Sequence, residues 1–248
     1  MRQTGVDPDV ITYNALINGY CMLGQIGKAR KFFGSMIDLG LVPDVITYNV
    51  LINGYCKSLK LDEAMHLLRE LPCKGLKPDV LSYNSILHAF FWSGKCDAAW
   101  KLFDDMKAAG VVPSSPTYCI LFDGLCKNGH LAEALSVFSM LNSEGMYLDI
   151  DVYNAIISGL CKDGKLGSAW DIFDSLYSKG LMPDVKTYNI MMNGLCQEGL
   201  LDEAKMLLAE MEEKGCMLDD ATYGSIVKGF LSQKRDISRG NETIRGKG

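Results

Sequence analysis

The phrase Asp-Val-Ile-Thr-Tyr-Asn occupies Asp9–Asn14 and recurs unchanged at Asp44–Asn49, and degenerate copies follow at the same interval along most of the chain. Tyr13, Tyr48, Tyr83, Tyr118, Tyr153, Tyr188 and Tyr223 are each separated from the next by 35 residues, without insertion or deletion. A fixed period of that length is the signature of a stacked repeat array, whose core is built from neighbour to neighbour. The chain length of 248 residues therefore does not bear on the number of compact domains in the usual way.

One unit, Val45–Asp79, divides into two helical patterns. On a helical wheel its first half places Asn49, Asn53 and Lys57 on a polar face and Tyr48, Leu51, Ile52 and Tyr55 on an apolar one. Gly54 lies on the flank, where the missing side chain lets a neighbouring helix approach. The second half carries Leu61, Ala64, Leu67, Leu68 and Leu71 as an apolar stripe. Gly75 and Pro78 end it, because glycine tolerates the left-handed C-cap and proline cannot continue the helix. Each unit is thus expected to be a helical hairpin. A lone hairpin cannot bury its apolar face, so the expected fold is all-α, a right-handed α-solenoid superhelix of 35-residue hairpins with the polar strips of the first helices facing one groove.

The boundaries follow from the register. Residues 1–9 match the end of a unit whose beginning is missing, as in a truncated form of a longer array. Six units occupy 10–44, 45–79, 80–114, 115–149, 150–184 and 185–219. Residues 220–231 read as the first helix of an incomplete unit. Residues 232–248 read as a basic tail without fixed structure, since they carry no apolar stripe. Units exposed at the ends without polar caps lead to an expectation of self-association.

Composition narrows the function classes. The hydrophobic fraction of 48% and charged fraction of 22% are those of a folded protein, and no run reaches the ~18 apolar residues of a membrane span. Of nine cysteines, Cys21, Cys56, Cys126, Cys161 and Cys196 share one register, which suits small buried side chains in a reducing compartment. No Cys-x-x-Cys pair occurs, and His66, His88 and His130 do not adjoin paired cysteines, so no metal or other cofactor is expected. Neither a zinc-deaminase set, a Ser-His-Asp arrangement nor a phosphate-cradling glycine loop stands out, and no enzymatic activity is expected. Acidic pairs such as Asp62-Glu63 and Asp202-Glu203 open second helices, where negative charge favours the helix dipole.

The Val-x-Thr-Tyr-Asn opening, the Leu-Ile-x-Gly-x-Cys-Lys core, the Asp-Glu-Ala of the second helix and the closing Gly-x-x-Pro-Asp resemble the pentatricopeptide repeat. The resemblance covers 210 of the 248 residues. It is to the class with constant 35-residue units, and Asn-Gly-Tyr-Cys and Asn-Gly-Leu-Cys resemble the plant fertility-restorer-like subgroup. The resemblance implies binding of single-stranded RNA at one base per repeat, in a mitochondrial setting, although the chain shows no transit peptide of its own.

The family's reading places are the fifth and last of each unit. Carried over, they are Asn14 with Asp44, Asn49 with Asp79, Asn84 with Ser114, Cys119 with Asp149, Asn154 with Asp184, and Asn189 with Asp219. Under the family rule, Asn with Asp reads uracil and Asn with Ser reads cytosine, which gives U-U-C-x-U-U with x opposite Cys119 unassigned. An Asn amide offers a donor and an acceptor to a base edge, and an acceptor-only Asp can fix its orientation. The closing Asp also suits the N-cap of the following helix, as does Ser114. By resemblance, Ile11, Ile46 and Leu81 would sandwich bases, whereas Pro116, Asp151, Lys186 and Ala221 at the same place depart from that pattern. Lys57, Lys127 and Lys162 would contact phosphates, with Met22, Trp92 and Gln197 in that register elsewhere.

The net charge of −5 has the wrong sign for non-specific nucleic-acid affinity. Residues 232–248 hold five basic and two acidic side chains, or +3, which leaves −8 on the rest. Affinity is therefore expected to come from stacking and hydrogen bonds. The acidic balance also keeps open a different function, a protein-interaction solenoid with a peptide in its groove. The asparagine kept at one place in five of six units argues for RNA, because a peptide groove would be free to vary there.

Overall fold

The structure, a computed structural model, describes residues 8–217 and Gly224. Residues 1–7, Leu218, Asp219, the incomplete unit's remaining residues in 220–231 and the tail 232–248 lie outside the described residues.

Among residues 8–217, twelve helices of 13 residues each alternate with short turns: α1 (Val10–Met22), α2 (Ile26–Asp38), α3 (Val45–Lys57), α4 (Leu61–Cys73), α5 (Val80–Trp92), α6 (Cys96–Ala108), α7 (Ser115–Lys127), α8 (Leu131–Ser143), α9 (Ile150–Lys162), α10 (Leu166–Ser178), α11 (Val185–Gln197) and α12 (Leu201–Glu213). There are no strands among the described residues. Each pair is one 35-residue hairpin, so the fold is an all-α solenoid. The chain forms two compact units, Met1–Gly124 and Leu125–Gly248.

Within the first unit α3 packs against α1 and α5, while α2, α4 and α6 each pack on the first helix of their own hairpin. In the second unit α9 packs against α11, with α10 and α12 on their hairpin partners. Within each unit, first helices therefore contact first helices of the neighbouring repeat. The repeating tyrosines lie in this core: Tyr48 and Tyr188 are among the largest fully buried side chains. Tyr48, Tyr153 and Tyr188 each meet a phenylalanine from the preceding hairpin edge to face, with Phe33–Tyr48 centroids at 5.5 Å, Phe138–Tyr153 at 5.1 Å and Phe173–Tyr188 at 5.6 Å. Such T-shaped pairs add about 0.5–1.5 kcal/mol beyond area burial. The alanines Ala29, Ala64, Ala99, Ala134 and Ala169 are completely buried.

The cysteine register has a steric partner. A methyl on Gly54 would overlap Cys21 Sγ and lie 2.9 Å from its Cβ, and Gly159 and Gly194 stand in the same relation to Cys126 and Cys161. Gly124 faces Phe91 instead, which replaces the cysteine in the third repeat. The glycine facing this register thus sets how closely consecutive first helices approach. Burial pushes the Cys56 thiol up to about 12 and that of Cys161 to about 11, which leaves both as neutral packing groups.

Candidate nucleic-acid interface

First helices begin alike. Asp9, Asp44, Asp79, Asp149 and Asp184 are extended N-caps whose carboxylates accept from the backbone N–H of the third helical residue. At Asp44, Asp79 and Asp184 a hydroxyl at that third place, Thr47, Ser82 or Thr187, returns a bond from the cap's own N–H and completes a capping box. Val152 has no hydroxyl to do so at Asp149. Ser114 pairs its hydroxyl with that of Thr117 at 3.2 Å and donates its N–H to it at 3.1 Å.

The cap is also where consecutive repeats are joined. Asn14 Nδ2 donates to Asp44 Oδ1 at 3.4 Å. Asn49 Nδ2 donates to both carboxylate oxygens of Asp79, at 3.0 and 3.1 Å, while its Oδ1 accepts from Ser82 Oγ at 2.6 Å. Burial opposes ionisation of Asp44, yet the Thr47 hydroxyl and N–H together with the Asn14 amide outweigh it and hold the carboxyl below the usual carboxylate range.

The remaining pairs differ. Asn84 Oδ1 is buried without a partner, and no hydrogen bond joins it to Ser114. Both amide atoms of Asn154 are buried and unpartnered, and Asp184 instead receives the Thr187 hydroxyl at 2.7 Å. Asn189 is half-buried and engaged, with its expected partner Asp219 outside the described residues. Cys119 is half-buried, and Asp149 caps α9 through Val152 N–H at 3.2 Å.

The helical wheel misplaced the asparagines. Asn53 and Lys57 are exposed as expected, but Asn49 retains 5% exposure and Asn154 1%. A wheel treats the helix as isolated, whereas the cap and first turn of the next repeat cover the fifth place and leave the ninth and thirteenth open. Sequence reasoning also passed over Ser82, whose hydroxyl ties Asn49 to the cap. The signal was present in the hydroxyl that recurs as Thr12, Thr47, Ser82, Thr117 and Thr187.

Ile11, Ile46 and Leu81 are 76%, 61% and 60% exposed, so the side chains assigned to sandwich bases stand free on the surface. In the second unit this place is bridged, because Lys186 Nζ lies 2.6 Å from Asp151 Oδ1. Lys57, Lys127 and Lys162 are exposed at the ends of their helices. In the first unit a groove of about 610 Å³ is lined by α3, α5 and the start of α7, including Leu81, Asn84 and Pro116, with Lys57 on its wall. Among the described residues no group of three or more His, Cys, Asp or Glu side chains could hold a metal ion. No helix there is long and apolar enough to cross a membrane.

The fold is similar to that of known proteins. Maize PPR10 is similar over 98% of this chain and 39% of its own, with 28% identity and a TM-score of 0.62. PPR10 in complex with an 18-nt psaJ RNA element aligns with 26% identity over 93% of this chain and 39% of that one, with a TM-score of 0.58. Yeast Rmd9p in complex with a 16-nt target RNA shares the fold, at 16% identity over 97% of this chain and 52% of its own, with a TM-score of 0.57. The chain thus spans about two fifths of the length of PPR10. No curated protein matches the chain. The PPR repeat family model matches residues 8–57, 43–90, 78–127, 148–197 and 183–232, and the PPR repeat model matches 116–146. With these matches extending over nearly the whole array, the chain belongs to the pentatricopeptide repeat family.

Proposed function

We propose that the chain is a non-catalytic adaptor that binds single-stranded RNA along its first helices, one base per repeat, with the order U-U-C-x-U-U from 5′ to 3′. The observation that carries this is the Asn49–Asp79 pair beside the exposed Ile46 and Leu81. It supplies an oriented amide next to two apolar platforms 35 residues apart. The RNA held by PPR10 and Rmd9p in their complexes supports the same class of ligand here.

The carboxylate of Asp79 occupies the Asn49 N–H donors, which leaves Oδ1, here accepting from the Ser82 hydroxyl, as the amide atom for a base edge to engage. Uracil presents an N3–H donor, which such an oxygen can accept. A base takes the place of the Ser82 hydroxyl at Oδ1, and Ser82 keeps its bond to Asp79 Oδ1 at 3.0 Å. Asn84 is not locked by a carboxylate, so it can turn its NH2 toward the N3 acceptor of cytosine. The Asp151–Lys186 ion pair spans the two platforms of the fifth repeat, and a base enters there only after the pair opens.

By family resemblance we place the chain in the constant-length class, in mitochondria, acting on processing, stability or translation of a transcript in the manner of plant fertility restorers. Equilibrium binding to an unstructured RNA containing U-U-C-A-U-U and to an A-rich control tests the central part. The expected result is at least about tenfold preference for the first, the size of one lost base contact. Equal affinities overturn the reading. Tight binding of an extended peptide without RNA affinity establishes the scaffold function instead.

A further inference from the structure

The third repeat breaks register at one end of its first helix. Where α3 carries Asn53 and Lys57, α5 carries His88 and Trp92. Four residues apart, they share one face of the helix, and their rings stack with centroids 6.3 Å apart and planes 19° from parallel. Trp92 is 71% exposed and His88 is exposed as well. The packing of α5 does not use them, since Ile86, Leu87, Phe90 and Phe91 fill its buried face.

Both rings line the groove that holds Leu81, Asn84 and Pro116, and Lys57 lies on the same wall. An indole left in water on a groove that an ammonium group also lines is matched by a ligand with a flat π face and a negative charge close by. A nucleobase on its phosphate has both, and base–aromatic stacking accepts any base. In α3 the thirteenth place offers a cation for the backbone, whereas in α5 it offers an aromatic surface.

We propose that the His88–Trp92 stack is a second contact point of the third repeat, a platform on which one nucleobase of the bound strand stacks in addition to the base facing Asn84. It rests on the RNA reading above. Stacking of this kind gives affinity that survives high salt, unlike a lysine–phosphate contact.

The test uses the full chain, Trp92→Ala and Trp92→Phe, with helicity checked by circular dichroism. The probes are the U-U-C-A-U-U RNA, an A-rich control and a series of the first in which each nucleotide in turn is abasic. Trp92→Ala is expected to weaken binding about tenfold at both low and high salt, with Trp92→Phe near wild type. One abasic position is expected to cost wild type a similar factor and to cost Trp92→Ala nothing, and binding is expected to quench tryptophan emission in wild type more than in Trp92→Ala. Losses that simply multiply at every abasic position, or unchanged affinity in Trp92→Ala while wild type still prefers U-U-C-A-U-U, overturn the platform and leave base reading standing. Failure of wild type to bind either RNA overturns both.

Discussion

Asn49 gives its amide hydrogens to both carboxylate oxygens of Asp79, thirty residues further on, and that aspartate is at the same time the N-cap of α5. One side chain therefore ends a repeat, starts the next helix and holds the amide of the repeat before it. Asn154, in the same register, is equally buried but has no partner for either amide atom.

The contrast predicts opposite responses to one substitution. Asn49→Leu should lower stability by about 1–3 kcal/mol, because it removes the two bonds to Asp79 and takes from the buried Ser82 hydroxyl its 2.6 Å partner, whereas Asn154→Leu should be neutral or stabilising. Urea midpoints of the two variants measured side by side decide the matter. Equal losses would mean that the Asn49 bonds contribute nothing beyond side-chain volume.

At the fifth repeat, both members of the Asp151–Lys186 pair are more than half exposed, and such pairs are worth only about 0–1 kcal/mol. Replacing them together by Asp151→Val and Lys186→Ile should leave the melting temperature nearly unchanged. It should also make binding about fivefold or more sensitive to the base at the fifth position, which is the size of one stacked base. Wild type should tolerate a change at that position better than one at the second. A wild-type protein as strict at position five as at position two contradicts closure of the slot.

Gly54→Ala should destabilise the chain by about 1–3 kcal/mol, since the new methyl overlaps Cys21. Gly19, at the same place one repeat earlier, has nothing within 4 Å of an added methyl, so Gly19→Ala should be tolerated or stabilise by up to about 1 kcal/mol through helix propensity. Adding Cys21→Ala should recover part of the Gly54→Ala loss in a double-mutant cycle. Thermal melts of the four proteins give the answer, and identical effects of the two glycine changes would remove the packing argument.

Leu59 has φ of +54°, in the turn where Gly24, Gly94, Gly129, Gly164 and Gly199 have φ between +69° and +82°. It is the one non-glycine residue with positive φ among the described residues. The left-handed conformation costs an L-residue about 1–2 kcal/mol. Leu59→Gly should therefore stabilise by about 0.5–1 kcal/mol once the extra freedom of glycine in the unfolded chain is counted. A fall in urea midpoint would show that Leu59 packs more usefully than its 57% exposure suggests.

Much of the architecture was legible without coordinates, for local reasons. The Leu61–Leu71 stripe, the Gly75 stop and the Asp44 cap are each settled within one or two turns of chain, and repetition multiplies the signal. Gly54 could be read as a place of close approach, although only the structure names Cys21 as what approaches. The burial of Asn49 was not legible, because it depends on where the next hairpin sets its first turn, a non-local fact that a wheel cannot contain. The Asp151–Lys186 bridge was likewise hidden. Its members are 35 residues apart, and each looked simply like a poor platform until their side chains met.

On the proposed base reading, the shared aspartate limits how such an array can change its target. Exchanging Asp79 for another residue to alter the preferred base would also loosen the start of α5 and release Asn49 from its neighbour. Retargeting at that joint is thus mechanically coupled to cohesion of the stack. Serine, already present as Ser114, keeps a hydroxyl on the cap, which makes it the gentlest exchange open to a lineage or an engineer.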